Sequence, residues 1–444
     1  MVNILLTQDT GKILGPIAKL LGILMDMIFN LLNAISIPNT GLAIVIFTIV
    51  IYLCMMPLTI KQQKFSKLSA KMNPELQAIQ AKYKNKKDND SMMKMNEETK
   101  AVYAKYGTSP TGSCLQLIIQ MPILFALYRV IDNMPAYVTK MKDAFMVLVP
   151  DFIKQAGSLD FIQNADNFKN ATRFAKNFSN ELFVNGDTQY VSNTVIDVLN
   201  KASTAEWHNI YASGNFEGLK NLITNAQGTG AFDLVEKYNN FLGINIANSP
   251  SYYVTGYFSQ LKDGIGGGFT IAVVIGALMF PILAAVTQWL NVKLMPQTPT
   301  NDDNASNSMA ASMKTMNMMM PIMSAVFCFT LPAGMGLYWI AGAVVRSIQQ
   351  VAINKHLDKT DIDELIKKNI EKANAKREKK GLPPQTVNNY ARLNTKTVEP
   401  KKSNTVDKEE AIKKATEYYN KGAKPGSIAA KANMVKQYNE KNNK

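Results

Sequence analysis

Residues Gly41 to Ile60, GLAIVIFTIVIYLCMMPLTI, carry no charge, and Lys61 follows directly. A helix needs about 20 apolar residues to cross a hydrocarbon layer of ~30 Å. Inside that layer, backbone N–H and C=O groups find no water. Such a run must satisfy them internally, which selects a helix over an open strand or a lipid-exposed loop. Four more runs of the same kind follow, giving expected spans at 41–60, 110–131, 266–291, 314–331 and 334–353. The chain is therefore expected to be an all-α integral membrane protein with a five-helix transmembrane core. Pro332 and Gly334 mark a tight turn, so the last two spans form a helical hairpin.

The charges lie between the spans. The net charge is +15, and 61–106 holds 11 basic and 5 acidic residues. The tail, 354–444, holds 22 basic and 12 acidic residues, whereas 132–263 holds 10 and 13. Lys and Arg are retained on the cytoplasmic side. That places the N-terminus outside, 61–106 inside, 132–263 outside, and the loop 292–313 and the tail inside, in a bacterial plasma membrane. The basic balance points to anionic lipid head groups or ribosomal RNA as partners.

Between the spans the chain reads as follows. Residues 1–40 lack the basic start and small-residue cleavage site of a signal peptide. Their apolar stretch carries Lys19, Asp26, Asn30 and Asn33 on one helical stripe, the pattern of an amphipathic helix in the outer interface. A sixth span is the alternative. Segment 61–106 reads as a cytoplasmic helical hairpin, its first helix broken or kinked near Asn73-Pro74 and its second over 91–106. Segment 132–263 reads as an extracytoplasmic helical insertion, with amphipathic pieces NTVIDVLNKAS, FEGLKNLITNA and FDLVEKYNNFL. The tail is rich in Lys, Asn and Pro and expected to be largely disordered, with helices near 361–380 and 407–421.

Little here supports covalent chemistry. Cys54, Cys114 and Cys328 all lie in apolar runs, and His208 and His356 are the only histidines. That argues against a disulfide framework or a metal site. The GIGGG run at 264–268 lacks the lysine of a phosphate-cradling loop, so no nucleotide or other cofactor is expected. The informative residues are polar groups in the spans, because each needs a partner or water. Thr48 and Tyr52 lie in the first span, Gln116 and Gln120 in the second, Gln288 in the third, and Tyr338, Trp339 and Arg346 in the fifth. Trp339, Arg346 and Gln350, spaced by 7 and 4, share a helix face. With Ser324 and Thr330 in the fourth span, five polar stripes can line one wet cavity, or they can make ordinary interhelical hydrogen bonds. Arg346 lies near the inner end, where it can also snorkel to the interface. Met92, Met93 and Met95 in the hairpin suit a surface that accepts varied apolar sequences. At the entrance to the fourth span, Met318 to Met320 read more simply as core.

The runs PLTIKQQKFSKLSAKMNPELQAIQAKY, GTSPTGSCLQLIIQMPILFALYRVI and MMMPIMSAVFCFTLPAGMGLYWIAGAVVRSIQQ resemble the YidC-type membrane protein insertases. That superfamily includes mitochondrial oxidase-assembly and chloroplast insertases. The likeness covers about 41–131 and 241–353, including FLGINIANSP. It implies a hydrophilic groove open to cytoplasm and lipid but closed outside, a cytoplasmic hairpin, and a ribosome-facing tail. Nascent membrane proteins, membrane lipids, the ribosome and the Sec translocon are the implied partners, and the activity implied is transfer without bond chemistry. Two features depart from the pattern. The family's arginine five residues before the Pro-Leu pair is Tyr52 here, and the loop 132–240 is longer than in five-span relatives. From the residues alone, a small-solute transporter or channel and a ribosome-tethering scaffold are the other readings. No internal repeat supports a transporter.

Overall fold

In a computed structural model the described residues are 8, 11–83, 86, 88–109, 114–212, 216–263, 269–294, 308–359, 361–379 and 381. All fall within one compact unit, residues 1–391; a second unit, 392–444, lies outside the described residues, as does the expected helix near 407–421.

The described chain is almost entirely helical. Helix α1 (Leu14–Ala34) leads into α2 (Thr40–Cys54), whose first turn is capped by Asn39: its Oδ1 accepts from Leu42 N at 2.9 Å. The expected span to residue 60 stops at Cys54. A bend of 60° separates α2 from α3 (Met56–Tyr83). Pro57 explains it, since its ring offers no N–H to the preceding turn and crowds that turn's carbonyl. Pro74, by contrast, does not break α3, contrary to the sequence expectation. Leu68 and Met72 just before it are fully buried against Val102 and Tyr106, so packing holds the helix through the missing bond.

Helix α4 (Asn89–Lys105) returns along α3. Glu75 accepts from Lys105 Nζ and Tyr106 Oη, both at 2.8 Å. Glu98 accepts from Lys82 and Tyr83 at 2.5 and 3.0 Å. This is the helical hairpin expected over 61–106.

Helix α5 (Cys114–Asp132) packs mainly along α1 and ends in a compact group of short helices. These are α6 (Met134–Tyr137), α7 (Thr139–Met146), α8 (Val149–Lys154), α9 (Ser158–Gln163), α10 (Ala175–Phe178), α11 (Glu181–Val184), α12 (Thr188–Asn200), α13 (Thr204–Ala212), α14 (Lys220–Ile223) and α15 (Ala231–Asn239). Phe145, Phe152, Phe168, Trp207 and Phe216 fill their core. The group is fastened to the apolar helices at two points. Asp132, at the end of α5, pairs with Lys201 at 2.7 Å. Asp26 of α1 accepts from Thr139 N at 2.7 Å, capping α7, while Gly22 lets the Tyr137 ring lie directly on α1.

The expectation of an all-helical chain needs one correction. After α15 the chain forms a two-stranded antiparallel hairpin, β1 (Asn240–Phe241) and β2 (Ile244–Asn245). Leu242 and Gly243 turn it with φ of 54° and 82°, the paired positive values of a tight two-residue turn. Helix α16 (Pro250–Asp263) follows, then α17 (Ile271–Leu294), α18 (Ser308–Thr330), α19 (Ala333–Leu357) and α20 (Ile362–Glu378). Helix α18 starts inside the expected loop 292–313, and α19 runs a turn beyond its expected end.

Helices α2, α17, α18 and α19 form the central bundle, and α19 lies between α2 and α17. Two described helices, Leu14–Ala34 and Ile271–Leu294, are long and apolar enough to cross a membrane, or three spans if the bent pair α2–α3 counts as one. The apolar part of α18 covers only Met318–Thr330, which is short for a span.

Candidate functional site

The polar residues singled out in the sequence do not form one stripe per helix around a common lumen. Four of them, Tyr52, Gln288, Tyr338 and Arg346, come together where α2, α17 and α19 meet. Arg346 of α19 turns inward rather than snorkelling. Its Nη1 donates to Tyr52 Oη at 2.9 Å, and its Nη2 lies 3.5 Å from Gln288 Oε1. The guanidinium carbon sits 5.5 Å from the Tyr52 ring centre. Gln288 in turn donates through Nε2 toward Met320 Sδ of α18 at 2.9 Å. Tyr338, buried about two turns before Arg346 on α19, faces the Tyr52 hydroxyl.

The close approach has a local cause. A Cβ on Gly342 would lie 3.0 Å from the Tyr52 hydroxyl, so a glycine here gives the Tyr52 ring room to lie against α19. The next turn of α19 is fixed by Gln349, one of the polar residues of the fifth span, and by Asn291 and Ser347, which sequence reasoning passed over. Gln349 Nε2 donates to the Tyr52 carbonyl at 2.8 Å, at the α2–α3 bend where that carbonyl loses its helical partner. Asn291 Nδ2 donates to Ala343 O at 3.0 Å and Asn291 Oδ1 accepts from Ser347 Oγ at 3.0 Å. Asn291 carried a sequence signal, a polar residue three positions from Gln288 on an apolar helix; Ser347, adjacent to Arg346, did not.

The remaining expected residues fall elsewhere. Thr48 is buried, and its hydroxyl bonds back to Ile44 O at 2.6 Å, so it serves α2 itself. Trp339 packs against Phe327 of α18, rings 6.3 Å apart, with its indole N–H buried and unpartnered. Gln120 is half-buried on α5, whose main neighbour is α1. Gln116 also lies on α5, but its side chain is outside the described residues. Met92 and Met93 are exposed on α4, and Met95 is half-buried. Met318, Met319 and Met320 are exposed on the outside of the bundle rather than filling its core.

Electrostatically, the site is a permanent cation among neutral acceptors. Arg346 has no carboxylate among its described partners; a tyrosine hydroxyl and an amide oxygen hold it. A guanidinium cannot shed its proton to relieve this. Its charge is therefore available to an anionic group brought alongside it. Where α19 begins, the same bundle is closed over. The segment just after β2 supplies Ile246 O and Asn248 O to the first N–H groups of α19, from Gly334 and Ala333, each at 2.9 Å. Phe241 lies on Gly41 at the start of α2, and Asn39 Nδ2 donates to Asn240 O at 2.6 Å. Among the described residues, no His, Cys, Asp and Glu group is placed to hold a metal ion.

A family model described as 60Kd inner membrane protein matches residues 31–173 and 225–360. The unmatched stretch between them lies in the group of short helices. Three curated relatives are each named membrane protein insertase YidC. The protein of Oceanobacillus iheyensis is 40% identical over 113 residues, 26% of this chain and 44% of the relative. That of Bifidobacterium longum is 30% identical over 172 residues, covering 37% and 51%. That of Fusobacterium nucleatum is 37% identical over 119 residues, covering 24% and 56%. The chain thus spans about half the length of the curated relatives it matches.

Proposed function

Because the chain belongs to the 60Kd inner membrane protein family, we propose that it is a membrane protein insertase. It moves apolar segments of nascent proteins into the bilayer along the face where α2, α17 and α19 converge, within a five-span core. The observation that carries this reading is Arg346, an inward-turned cation whose hydrogen-bond partners among the described residues are Tyr52 and Gln288. A polar segment entering from the cytoplasm finds there a charge, hydroxyls and amides that replace part of its water shell. The plug formed by β1, β2 and the N-terminus of α19 keeps the outer end shut. The driving force is the substrate's own burial in lipid, about 25 cal/mol per Å² of apolar surface, so no nucleotide is needed. No bond changes, and the protein acts as a catalyst of transfer, not an enzyme. The exposed Met92 and Met93 make the α3–α4 hairpin the first surface to meet the substrate. The basic tail tethers the ribosome, and the Sec translocon is a further partner.

The purified full chain in liposomes, without nucleotide, should protect an added single-span substrate from external protease above the level in empty liposomes. Equal protection in both, or solute flux without protection, would overturn the proposal.

A further inference from the structure

The hairpin α3–α4 has an apolar face, and the chain itself covers it. Leu68, Met72, Val102 and Tyr106 form a small buried cluster, and Leu365 and Ile366 of α20 pack on it. Two ion pairs flank this contact, one from α3 to Asp358 at the C-cap of α19, just ahead of α20, and one from α3 to Asp363 in the first turn of α20. Lys67 pairs with Asp358, and Lys71 with Asp363 at 2.7 Å. The backbone at Asn369 and Ile370 lies so close to Gly107 that a Cβ there would stand 2.6 Å from Ile370 N. Gly107 also has φ of 60°, the left-handed value a glycine adopts without strain.

Every component of this contact is weak. Asp358 and Asp363 are mostly exposed, and surface ion pairs contribute about 0–1 kcal/mol each. None of the described side chains of α20 is fully buried.

We propose that α20 is a displaceable strap on the α3–α4 hairpin, which must lift off before that apolar face can receive another helix. The seat describes its guest: a short helix with acidic residues at its start, to meet Lys67 and Lys71, and adjacent apolar residues a turn later. That the incoming helix belongs to a nascent membrane protein rests on the function proposed above; the strap does not. Helix α20 has 17 residues, near the length at which an isolated helix is marginal in water, so once released it frays.

Hydrogen exchange of the full chain in lipid nanodiscs tests this without any insertion assay. Raising salt from ~50 to ~500 mM should speed exchange of 365–378 about tenfold, because it screens two exposed pairs. The hairpin amides should stay protected, since Glu75 and Glu98 still join α3 to α4. Asp358→Lys with Asp363→Lys should release α20 already at low salt, and adding Lys67→Asp with Lys71→Asp should restore it. Gly107→Val keeps all four charges and should release α20 by displacement alone. Exchange of 365–378 indifferent to salt, charge reversal and Gly107→Val overturns the strap. So does loss of hairpin protection in step with α20, which would make the two a single unit.

Discussion

Replacing Arg346 by methionine keeps an unbranched stem in the bundle and removes the charge. Arg346 lies 11 residues before Leu357, the end of α19, or about 16 Å along the axis at 1.5 Å per residue. Its side chain cannot cover that span, so the charge acts from within. A substrate carboxylate passing at ~8 Å, with an effective dielectric of ~20, gains about 2 kcal/mol. If the gain is made at the barrier, it amounts to roughly 30-fold in rate. The assay compares two single-span substrates in liposomes, alike except for two Asp or two Asn in the translocated flank. Arg346→Met should slow the Asp substrate by about 10- to 30-fold and leave the Asn substrate within about twofold. Adding Tyr52→Arg should restore the Asp substrate, because Tyr52 Oη already sits 2.9 Å from the lost nitrogen. Equal slowing of both substrates would show that Arg346 only holds the bundle together. No slowing of either would remove it from the site.

Three further outcomes are expected. Asp132→Asn should lower the stability of the short helices more than Lys201→Met, by about 3 kcal/mol, because it strands a buried cation that burial already drives below its usual pKa; thermal unfolding in detergent reads the difference. Burial raises the Glu236 carboxyl above its usual 4.5, although Asn245 Nδ2 donates to it at 2.6 Å. A raised carboxyl favours the fold most below pH 4.5, and that advantage is lost as pH rises through the folded value. Glu236→Gln should flatten the decline and melt higher at neutral pH, as a pH series of melting curves would show. Deleting 381–444 should reduce ribosome co-sedimentation strongly at low salt and little at high salt, since phosphate contacts weaken steeply with salt.

The helices were legible because the membrane leaves the backbone few options. Uncharged runs at 41–60, 266–291 and 334–353 each found a helix, and the amphipathic pieces of 132–263 did too. Ends were less legible because they depend on particular bonds. Pro57 ended α2 six residues early, while α3 runs on through Pro74, where Leu68 and Met72 are packed on Val102 and Tyr106. The β1–β2 hairpin hid in FLGINIA because a two-residue strand has too few positions to show alternation. The purpose of the segment just after it is tertiary: Ile246 O and Asn248 O serve the otherwise unpaired N–H groups that open α19.

The site shows where pattern reading stops. Helical spacing grouped Trp339, Arg346 and Gln350 on one face of α19, yet Trp339 serves α18 and Arg346 reaches to α2 and α17. Side chains as long as arginine and tryptophan cover more angle than the spacing argument resolves. The residue that decides the geometry is Gly342, whose missing Cβ lets the Tyr52 ring lie on α19. A glycine in GLYWIAGAVV advertises nothing by itself; small residues at membrane helix contacts are common. Read together with Tyr52, however, it is informative. An arginine on α2 at position 52 and an arginine on α19 at position 346 would place two cations at one point, with no described carboxylate to separate them. The bundle can hold one, and Tyr52 is the neutral acceptor that lets the other helix supply it.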